Sequence, residues 1–323
     1  MQTTETMEGT TDKIKPLAGE LARMVSAETV VRADEPLAKR TTLRVGGPAD
    51  VYVEPASDED LALVLAWCAR NGEKVFVLGR GSNLLVRDGG FRGVVICLAH
   101  PHFSRIEVAG DRLWCGAGAR LKRVAVEAKR NGLSGVEFLE GIPGSVGGAL
   151  RMNAGAMGGA TFDAVESMRF MSLHGEIFEK PGREIPVEYR SCALLKTHIA
   201  LDVLFRCAEA PREEIETRMN AFSKKRWASQ PAAPSAGCIF KNPRDIPAGR
   251  LVEELGLKGL RVGGAVVSQE HGNFIINDGH ATAQDVLQLI ELLKDHAQRE
   301  RGVALQVEVE IIGEDESGHG REI

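Results

Sequence analysis

Several features that mark common classes of protein are missing from this sequence. No run of about 18 apolar residues occurs, so we expect no membrane-spanning helix and no membrane partner. The polar N-terminus lacks the apolar segment of a signal peptide, which favours a cytoplasmic location. No basic tract dominates and the formal net charge is −5, so nucleic acid is not an expected partner.

Motifs for metals and disulfides are missing as well. None of the six cysteines forms a CxxC pair, and their wide spacing argues against a zinc site or a disulfide framework. The histidines form no HxxxH-type ligand set. We therefore expect free thiols and no metal. The cysteines are Cys68, Cys97, Cys115, Cys192, Cys207 and Cys238.

The composition that remains is that of an ordinary globular protein. Hydrophobic residues make up 43% and charged residues 26% of the chain, which argues against extended disorder. The length of 323 residues exceeds what one hydrophobic core usually fills, so two or three domains are expected. Residues 1–22 and 315–323 are predicted to be flexible tails, and a domain boundary is predicted just before residue 211.

Short strands and helices alternate between the predicted tails. Ser57 and Asp60 form a capping-box pattern before apolar residues at helical spacing, which predicts a helix ending at Gly72. Thr282 and Asp285 predict a second helix start in the same way. The other predicted elements are strands over 74–78 and 94–98, a helix from 121 to 132, a hairpin over 168–179, a helix over 211–227 and a closing strand over 305–312.

Two glycine-rich loops stand out. Gly79 to Asn83 (GRGSN) follows a predicted strand, and its backbone amides could approach an anion closely. Leu84 stands where a GxGxxG fingerprint needs glycine, and a tight turn explains this loop equally well. Residues 141–148 (GIPGSVGG) and 152–158 (MNAGAMG) are richer in small residues. A flat cofactor with a pyrophosphate would fill the space beside them, but so would close backbone packing.

Three polar positions are candidates for chemistry. Arg190 could hold a carboxylate bidentately, although a surface salt bridge is the commoner role of an arginine. Cys238 lies in a loop beside a glycine, and a small buried thiol is the alternative. Glu308 lies in the predicted closing strand, where an inward carboxyl would have a raised pKa. Alternation places Glu310 on the same face, so spacing alone does not choose between the two acids.

These motifs together resemble the UDP-N-acetylenolpyruvoylglucosamine reductase (MurB) family, and in particular its shorter type II form. They occur in the family's order over roughly residues 23–314. The strings that carry the resemblance are TTLRVGG from Thr41, GRGSN from Gly79, GIPGSVGGA with MNAGA, Tyr189-Arg190, GCIFKNP, the 263–277 segment with Ser268 and His271, and the terminal LQVEVEIIG.

The resemblance implies an α+β fold with three domains. Two subdomains, 23–108 and 109–210, would form an FAD-binding fold of the vanillyl-alcohol-oxidase (PCMH) type, and residues 211–314 would form a C-terminal α+β substrate domain. FAD would bind non-covalently, with NADPH as hydride donor. The implied cofactor residues are Gly46, Gly79, Arg80, Gly81, Ser82, Asn83, Leu84, Gly141, Ile142, Pro143, Gly144, Ser145, Gly147, Gly148, Asn153, Ala154 and Gly155.

The resemblance also implies a reaction, the reduction of UDP-N-acetylglucosamine enolpyruvate to UDP-N-acetylmuramate in peptidoglycan precursor synthesis, by a monomer. Arg190 and Glu308 match residues that polarise the carboxylate and stabilise the enolate, and Cys238 stands at the proton-donor position. The implied substrate contacts are Tyr189, Lys241, Asn242 and His271.

The sequence departs from the family at two positions. Cys238 stands where serine is usual, and Cys192 replaces a small hydroxyl residue. A thiol has a reference pKa of about 8.5, so it releases a proton more readily than an alcohol but also oxidises.

Two alternative functions remain open at this point: an alcohol oxidase of the same flavin superfamily, and a non-catalytic protein that binds flavin or a nucleotide sugar.

Overall fold

The computed structural model describes residues 7–316, which divide into two compact units. The first comprises the residues up to Asp34, Asp50–Gly79 and Gly93–Lys224, and the second comprises Glu35–Ala49, Arg80–Arg92 and the residues from Lys225 onward. The chain therefore passes repeatedly from one unit to the other. Each unit has its own hydrophobic core.

Helices and strands alternate along the described residues, as the sequence predicts. The helices are α1 Met7–Met24, α2 Asp58–Asn71, α3 Leu121–Arg130, α4 Val146–Arg151, α5 Arg212–Trp227, α6 Ala248–Glu254 and α7 Ala283–Arg301. The strands are β1 Val30–Pro36, β2 Pro48–Glu54, β3 Val75–Leu78, β4 Leu84–Val86, β5 Phe91–Cys97, β6 Ile106–Ala109, β7 Arg112–Gly116, β8 Leu133–Ser134, β9 Gly155–Ala156, β10 Gly159–Ala160, β11 Val165–Ser172, β12 Ile177–Pro181, β13 Val187–Glu188, β14 Ser191–Cys192, β15 His198–Arg206, β16 Ala208–Glu209, β17 Ser235–Cys238, β18 Arg261–Val262, β19 Ala265–Val267, β20 Phe274–Asn277 and β21 Glu310–Ile312.

The first unit is built on two sheets. One has the order β1-β2-β5-β3, with β3 parallel to β5, and the other has the order β12-β11-β15-β7-β6 and is antiparallel. Helices α2 and α3 place Leu61, Val64, Val124 and Ala125 in the core. The predicted hairpin over 168–179 is confirmed, because β11 and β12 pair across a turn at Gly175.

The second unit combines a four-stranded antiparallel sheet, β17-β20-β19-β18, with a parallel pair, β21 and β4. Helix α7 buries Val286, Leu289, Ile290 and Leu293 in the core. The pairing of β4 with β21 places the loop 80–83, which precedes β4, beside the residues that precede β21.

The helix ends follow the capping signals of the sequence. Ser57 caps α2 by accepting a hydrogen bond from the Asp60 amide, and Gly72 ends that helix with a left-handed φ of 67°. Thr282 and Asp285 form the predicted capping box of α7. None of the helices within residues 7–316 is both long and apolar enough to cross a membrane.

Part of the predicted N-terminal tail is a helix. Residues 7–22 lie in α1, where Ile14, Ala18 and Leu21 are buried. Their i, i+4, i+7 spacing marks one apolar helix face, which the composition of the segment obscures. Residues 1–6 and 317–323, which include most of the predicted C-terminal tail, lie outside the described residues.

The first unit ends later than the predicted boundary at residue 211. The unit extends to Lys224, because Ile215 and Met219 of α5 are buried in its core. That core is also continuous across residue 108, with Phe103 and Leu113 in the same cluster. The division of the chain into three domains stays a prediction from the sequence.

The closing strand is shorter than predicted. Regular pairing covers only Glu310–Ile312, preceded by an isolated bridge between Val307 and Phe240. The amides of Glu308 and Val309 both donate to the carbonyl of Ile239, at 2.7 and 3.4 Å. This irregularity interrupts the alternation of side chains, so Glu308 and Glu310 need not share a face.

We expect Asp88 to stabilise the second unit. Its two carboxylate oxygens accept hydrogen bonds from the amides of Ala283 and Gln284, both at 2.9 Å, at the N-terminus of α7. Asp88→Ala leaves these donors unpaired and should lower the free energy of unfolding by about 1–2 kcal/mol in a urea titration. Asp278→Ala removes an exposed ion pair with Arg261 and should cost no more than about 0.5 kcal/mol. Equal losses in the two variants would contradict this role.

Candidate flavin and substrate site

In the first unit, Gly79, the first residue of the predicted loop 79–83, lies close to the predicted glycine loop 141–148. A Cβ atom added to Gly79, which follows β3, would lie 2.9 Å from the Ser145 hydroxyl oxygen. Ser145 is buried and caps α4 by accepting a hydrogen bond from the Gly148 amide. A side chain at position 79 would therefore press on the cap of α4.

The loop 141–148 is fixed by main-chain hydrogen bonds. The Leu121 amide donates to the Gly144 carbonyl at 3.2 Å, and the amides of Val146 and Gly147 donate to the carbonyls of Ala119 and Ala117 at 2.9 and 2.7 Å. The amides of residues 146 and 147 are thus already engaged within the protein. These two amides are therefore not available to bind an anion.

The same loop leaves room for a ligand at its start. A Cβ added to Gly141 would meet no protein atom within 4 Å. Gly141 therefore borders open space, whereas a side chain at Gly79 would collide with Ser145. A ligand can approach the backbone at Gly141, as the predicted contact of this loop with FAD requires.

Arg190 lies in a strained turn of the first unit. Strands β13 and β14 pair Glu188 with Ser191, so Tyr189 and Arg190 form a two-residue loop. Arg190 has a φ of 57°, a left-handed conformation that costs about 1 kcal/mol or more outside glycine. Its guanidinium carbon lies 4.8 Å from the centre of the Tyr189 ring, which is 59% exposed. Backbone strain of this kind often accompanies a binding role.

Asn153 joins this turn to the glycine loops. Its side-chain amide donates to the Glu188 carbonyl at 3.4 Å, and its oxygen accepts from the Phe162 amide at 3.2 Å. The Arg151 guanidinium, at the end of α4, donates to the Leu195 carbonyl at 2.7 Å. The segment that follows α4 is therefore tied to the residues on either side of β14.

Cys192, on β14, is a core thiol. It is fully buried, and burial raises its pKa above the usual value, with hydrogen bonds from the Leu194 and Leu195 amides acting in the opposite direction. It therefore fills space beneath the Arg190 turn and does not present a reactive group.

In the second unit, Cys238 ends β17 beside an irregularity. Ser235 pairs with Ile276 and Cys238 with Phe274, with a register shift between them, and Gly237 has a φ of 76°. The thiol is free of any disulfide and half-buried. It is therefore not the inert core thiol that was the alternative.

The residues after Cys238 are held by Asn273, which is almost fully buried. The Asn273 side chain accepts from the Phe240 amide at 2.9 Å and donates to the Phe240 carbonyl at 2.8 Å. Its own carbonyl accepts from the Ile239 amide at 2.9 Å. Asn273 lies in the C-terminal segment that resembles the family, but no individual role was predicted for it.

The loop 80–83 of this unit, which is predicted to contact flavin and is called the flavin loop below, adjoins the residues around Glu308. The Asn83 side-chain amide donates to the Glu308 carbonyl at 3.3 Å, and the Glu310 amide donates to the Asn83 carbonyl at 3.1 Å. The Glu308 amide donates to Ile239, the residue after Cys238. The second unit thus brings the segments of Asn83, Cys238 and Glu308 together, while Arg190 belongs to the first unit.

Two of the predicted substrate contacts have structural partners. The Asn242 side chain accepts a hydrogen bond from the Ala248 amide at 3.0 Å, at the start of α6. His271 accepts from the Asn273 amide at 3.0 Å through Nδ1. Lys241 is anchored through its backbone amide, which donates to Gln306 at 2.8 Å. Contact of these residues with substrate remains a prediction.

Close backbone packing accounts for two of the predicted cofactor glycines. A Cβ on Gly46 would lie 2.3 Å from the Val86 carbonyl, and one on Gly81 would lie 2.6 Å from the Arg40 carbonyl; both glycines have positive φ. The remaining predicted cofactor residues are Ile142, Pro143, Ala154 and Gly155 in the first unit, and Arg80, Ser82 and Leu84 in the second.

Comparisons with known proteins first define the class. Residues 49–180 match the family model of an FAD-binding domain, and residues 230–312 match that of the UDP-N-acetylenolpyruvoylglucosamine reductase C-terminal domain. The protein is therefore an α+β flavoprotein with a PCMH-type FAD-binding fold followed by a C-terminal α+β domain.

Full-length relatives then identify the family. The chain is 44% identical over 283 residues to UDP-N-acetylenolpyruvoylglucosamine reductase of Geobacter metallireducens, covering 87% of this chain and 94% of the relative. It is 41% identical to the reductase of Clostridioides difficile, over 91% and 97% of the two chains. The crystal structure of the Thermus caldophilus reductase superposes with a TM-score of 0.78, at 41% identity, over 88% and 99%. The chain belongs to the UDP-N-acetylenolpyruvoylglucosamine reductase family.

We expect the stability of the protein to depend on pH through His271. Burial, reinforced by the nearby Lys258 ammonium, lowers the pKa of His271 in the folded state. The unfolded chain then binds the proton more tightly, so stability should fall as the pH decreases through about 6.5 towards the folded pKa, by up to about 1.4 kcal/mol per pH unit. The measurement is the difference in unfolding free energy between wild type and His271→Gln from pH 7.5 to 5.5. A difference that does not change with pH would disprove this.

Proposed function

We propose that this protein reduces UDP-N-acetylglucosamine enolpyruvate to UDP-N-acetylmuramate, with NADPH as reductant and FAD as cofactor, in peptidoglycan precursor synthesis. The observation that carries the proposal is that both modules of the reductase occur in one chain, at 44% identity over 94% of a relative that bears this name. The reaction adds one hydride and one proton to a carbon–carbon double bond, so each turnover consumes one NADPH and one proton.

Bound FAD would supply the hydride chemistry, taking hydride from NADPH and delivering it to C3 of the enolpyruvyl group. The protein's own part would be to bind the cofactor through its glycine loops and to exclude water from it. Gly79, Gly141 and Ser145 of the first unit are proposed to contribute to the FAD site, and the open space at Gly141 supports this. The loop 80–83 is the corresponding segment of the second unit.

Arg190 is proposed to bind the substrate carboxylate. Hydride addition at C3 leaves negative charge at C2, delocalised into this carboxylate. A guanidinium stays protonated at all working pH values and offers two parallel donors to the two oxygens. The strained turn and the Asn153 hydrogen bond fix the backbone of Arg190 before substrate binds. Glu308 is proposed to act with Arg190 in stabilising the enolate.

Cys238 is proposed to deliver the proton to C2. The S–H bond breaks, a C–H bond forms, and the thiolate left behind recovers its proton from water. Cys238 is half-buried and forms no disulfide, so its thiol is not enclosed in the core as a filler of space. Its position at the end of β17, one residue from the main-chain partner of Glu308, supports a shared site for donor and acid.

We also propose that the enzyme is a cytoplasmic monomer of the shorter type II form. A UDP-sugar substrate and a nicotinamide reductant are both intracellular metabolites, which supports this location. Size-exclusion chromatography with light scattering would measure the monomer mass of 34.9 kDa directly.

Anaerobic stopped-flow spectroscopy tests the function. The purified protein should be yellow, NADPH should bleach its flavin absorbance, and UDP-N-acetylglucosamine enolpyruvate should restore the absorbance. Flavin that NADPH reduces but that the UDP-sugar fails to reoxidise would exclude this substrate. Oxygen uptake with an alcohol, and no reaction with NADPH, would indicate an oxidase.

Variants of Cys238 separate the two half-reactions. Cys238→Ala should leave flavin reduction by NADPH unchanged and slow reoxidation by the UDP-sugar about 10²–10⁴-fold, because the general acid is lost. Cys238→Ser should keep substantial reoxidation activity. Single-turnover stopped flow measures both steps, and Cys68→Ala, which removes a core thiol of α2 outside the candidate site, serves as the control. Wild-type reoxidation by Cys238→Ala would show that another group donates the proton.

A further inference from the structure

Thr42 connects the flavin loop to the strand that carries Cys238. Its amide donates to the Gly81 carbonyl at 3.1 Å. Its hydroxyl oxygen lies 2.6 Å from the Ser235 carbonyl and 3.2 Å from the Gly81 carbonyl, so the hydroxyl proton is directed mainly at Ser235. One half-buried side chain thereby links three segments of the second unit that are far apart in sequence.

The Ser235 carbonyl lies just before an irregular part of strand β17. Ser235 and Cys238 both pair with β20, but the register shifts between them and Gly237 adopts a positive φ. Such an irregularity leaves the intervening residues without regular ladder bonds. A Cβ on Gly237 would lie 3.7 Å from the Ser82 carbonyl, so the irregular turn lies against the flavin loop.

The two sides of Cys238 are held differently. On the C-terminal side, Asn273 makes three hydrogen bonds to Ile239 and Phe240. On the N-terminal side, Ser235 pairs with Ile276, the Asn277 amide donates to the Pro234 carbonyl, and the Thr42 hydroxyl adds a short hydrogen bond to the Ser235 carbonyl. Removing the Thr42 hydroxyl therefore loosens the turn before Cys238, while the Asn273 clamp and the core below it remain.

We infer that Thr42 is a positioning residue for proton delivery, holding the Cys238 turn against the flavin loop. This inference rests on the proposed function. Thr42 acts through the Ser235 and Gly81 carbonyls and takes no part in the chemistry itself. Its contribution is to keep the thiol at the distance from C2 that proton transfer requires, where a displacement of about 1 Å can slow a reaction about 10²-fold.

The test compares Thr42→Val, which keeps the shape and removes the hydroxyl, with Thr42→Ser, which keeps the hydroxyl. Thr42→Ala, which also lacks the hydroxyl, guards against an effect of the valine methyl group. Thr217→Val is the matched control, because the Thr217 hydroxyl also donates to a main-chain carbonyl, that of Glu213, at 2.7 Å, but on the exposed face of α5. The FAD-loaded proteins are measured in single-turnover stopped flow.

We expect NADPH to reduce the flavin of every variant at the wild-type rate. Reoxidation by the UDP-enolpyruvyl sugar should be about 10–10²-fold slower in Thr42→Val and Thr42→Ala, close to wild type in Thr42→Ser, and unchanged in Thr217→Val. Retention of FAD, followed by flavin fluorescence, should be the same throughout.

Three outcomes would overturn the inference: wild-type reoxidation in Thr42→Val or Thr42→Ala, equal slowing of both half-reactions, or failure of Thr42→Ser to restore the rate. Failure of the proposed function looks different, because wild type itself would then be reduced by NADPH and not reoxidised by the UDP-sugar.

Discussion

The arrangement of the second unit depends on hydrogen bonds between main-chain groups and a few polar side chains that join segments far apart in sequence. Asn83 is hydrogen-bonded to the Glu308 carbonyl through its side chain and to the Glu310 amide through its main-chain carbonyl. The Thr42 hydroxyl donates to the Ser235 carbonyl, and the Asn273 side chain is hydrogen-bonded to both the amide and the carbonyl of Phe240. Each of these side chains satisfies backbone groups that no regular ladder reaches. Because such bonds are directional, they fix where the strand ends lie, and the apolar core alone would not.

Irregular backbone accompanies these hydrogen bonds around Cys238. The register shift before Cys238, the shared acceptor at Ile239 and the positive φ of Gly237 all interrupt regular pairing. In the first unit, Arg190 also has an irregular, left-handed backbone. The Asn153 side chain holds its turn by donating a hydrogen bond to the Glu188 carbonyl. In a regular strand, successive side chains point to opposite faces of the sheet. Where the pairing is interrupted, this alternation is lost, and neighbouring side chains can point in other directions.

Much of the fold follows from local signals in the sequence. The caps of α2 and α7 and the turn at Gly175 depend on residues a few positions apart, and these predictions are confirmed. The helix over 7–24 was missed, because a Thr- and Glu-rich composition concealed the buried face of Ile14, Ala18 and Leu21. The length of the closing strand was wrong, since the irregularity at Glu308 arises from pairing with a distant segment.

The motifs of the candidate site stand out in the sequence, but the hydrogen bonds that connect them could not be predicted from it. Glycines, Arg190, Cys238 and Glu308 stand out by residue type and by resemblance to the family. The partners of Thr42, Asn83 and Asn273 lie 33 to 225 positions away, and no sequence spacing encodes them. Asn242 and His271 are predicted to contact substrate. In the structure, their side chains also accept hydrogen bonds from backbone amides, which the sequence did not indicate.

The central claim is that a rigidly held donor protonates C2 after hydride reaches C3. The most direct measurement is a single turnover of NADPH-reduced enzyme in deuterium oxide, with the UDP-sugar product analysed by NMR. Because the N5 hydrogen of a reduced flavin exchanges with solvent, only C2 reports on the proton donor, and the account predicts one deuterium there in a single configuration. Protium at C2, or a mixture of configurations at C2, would contradict it.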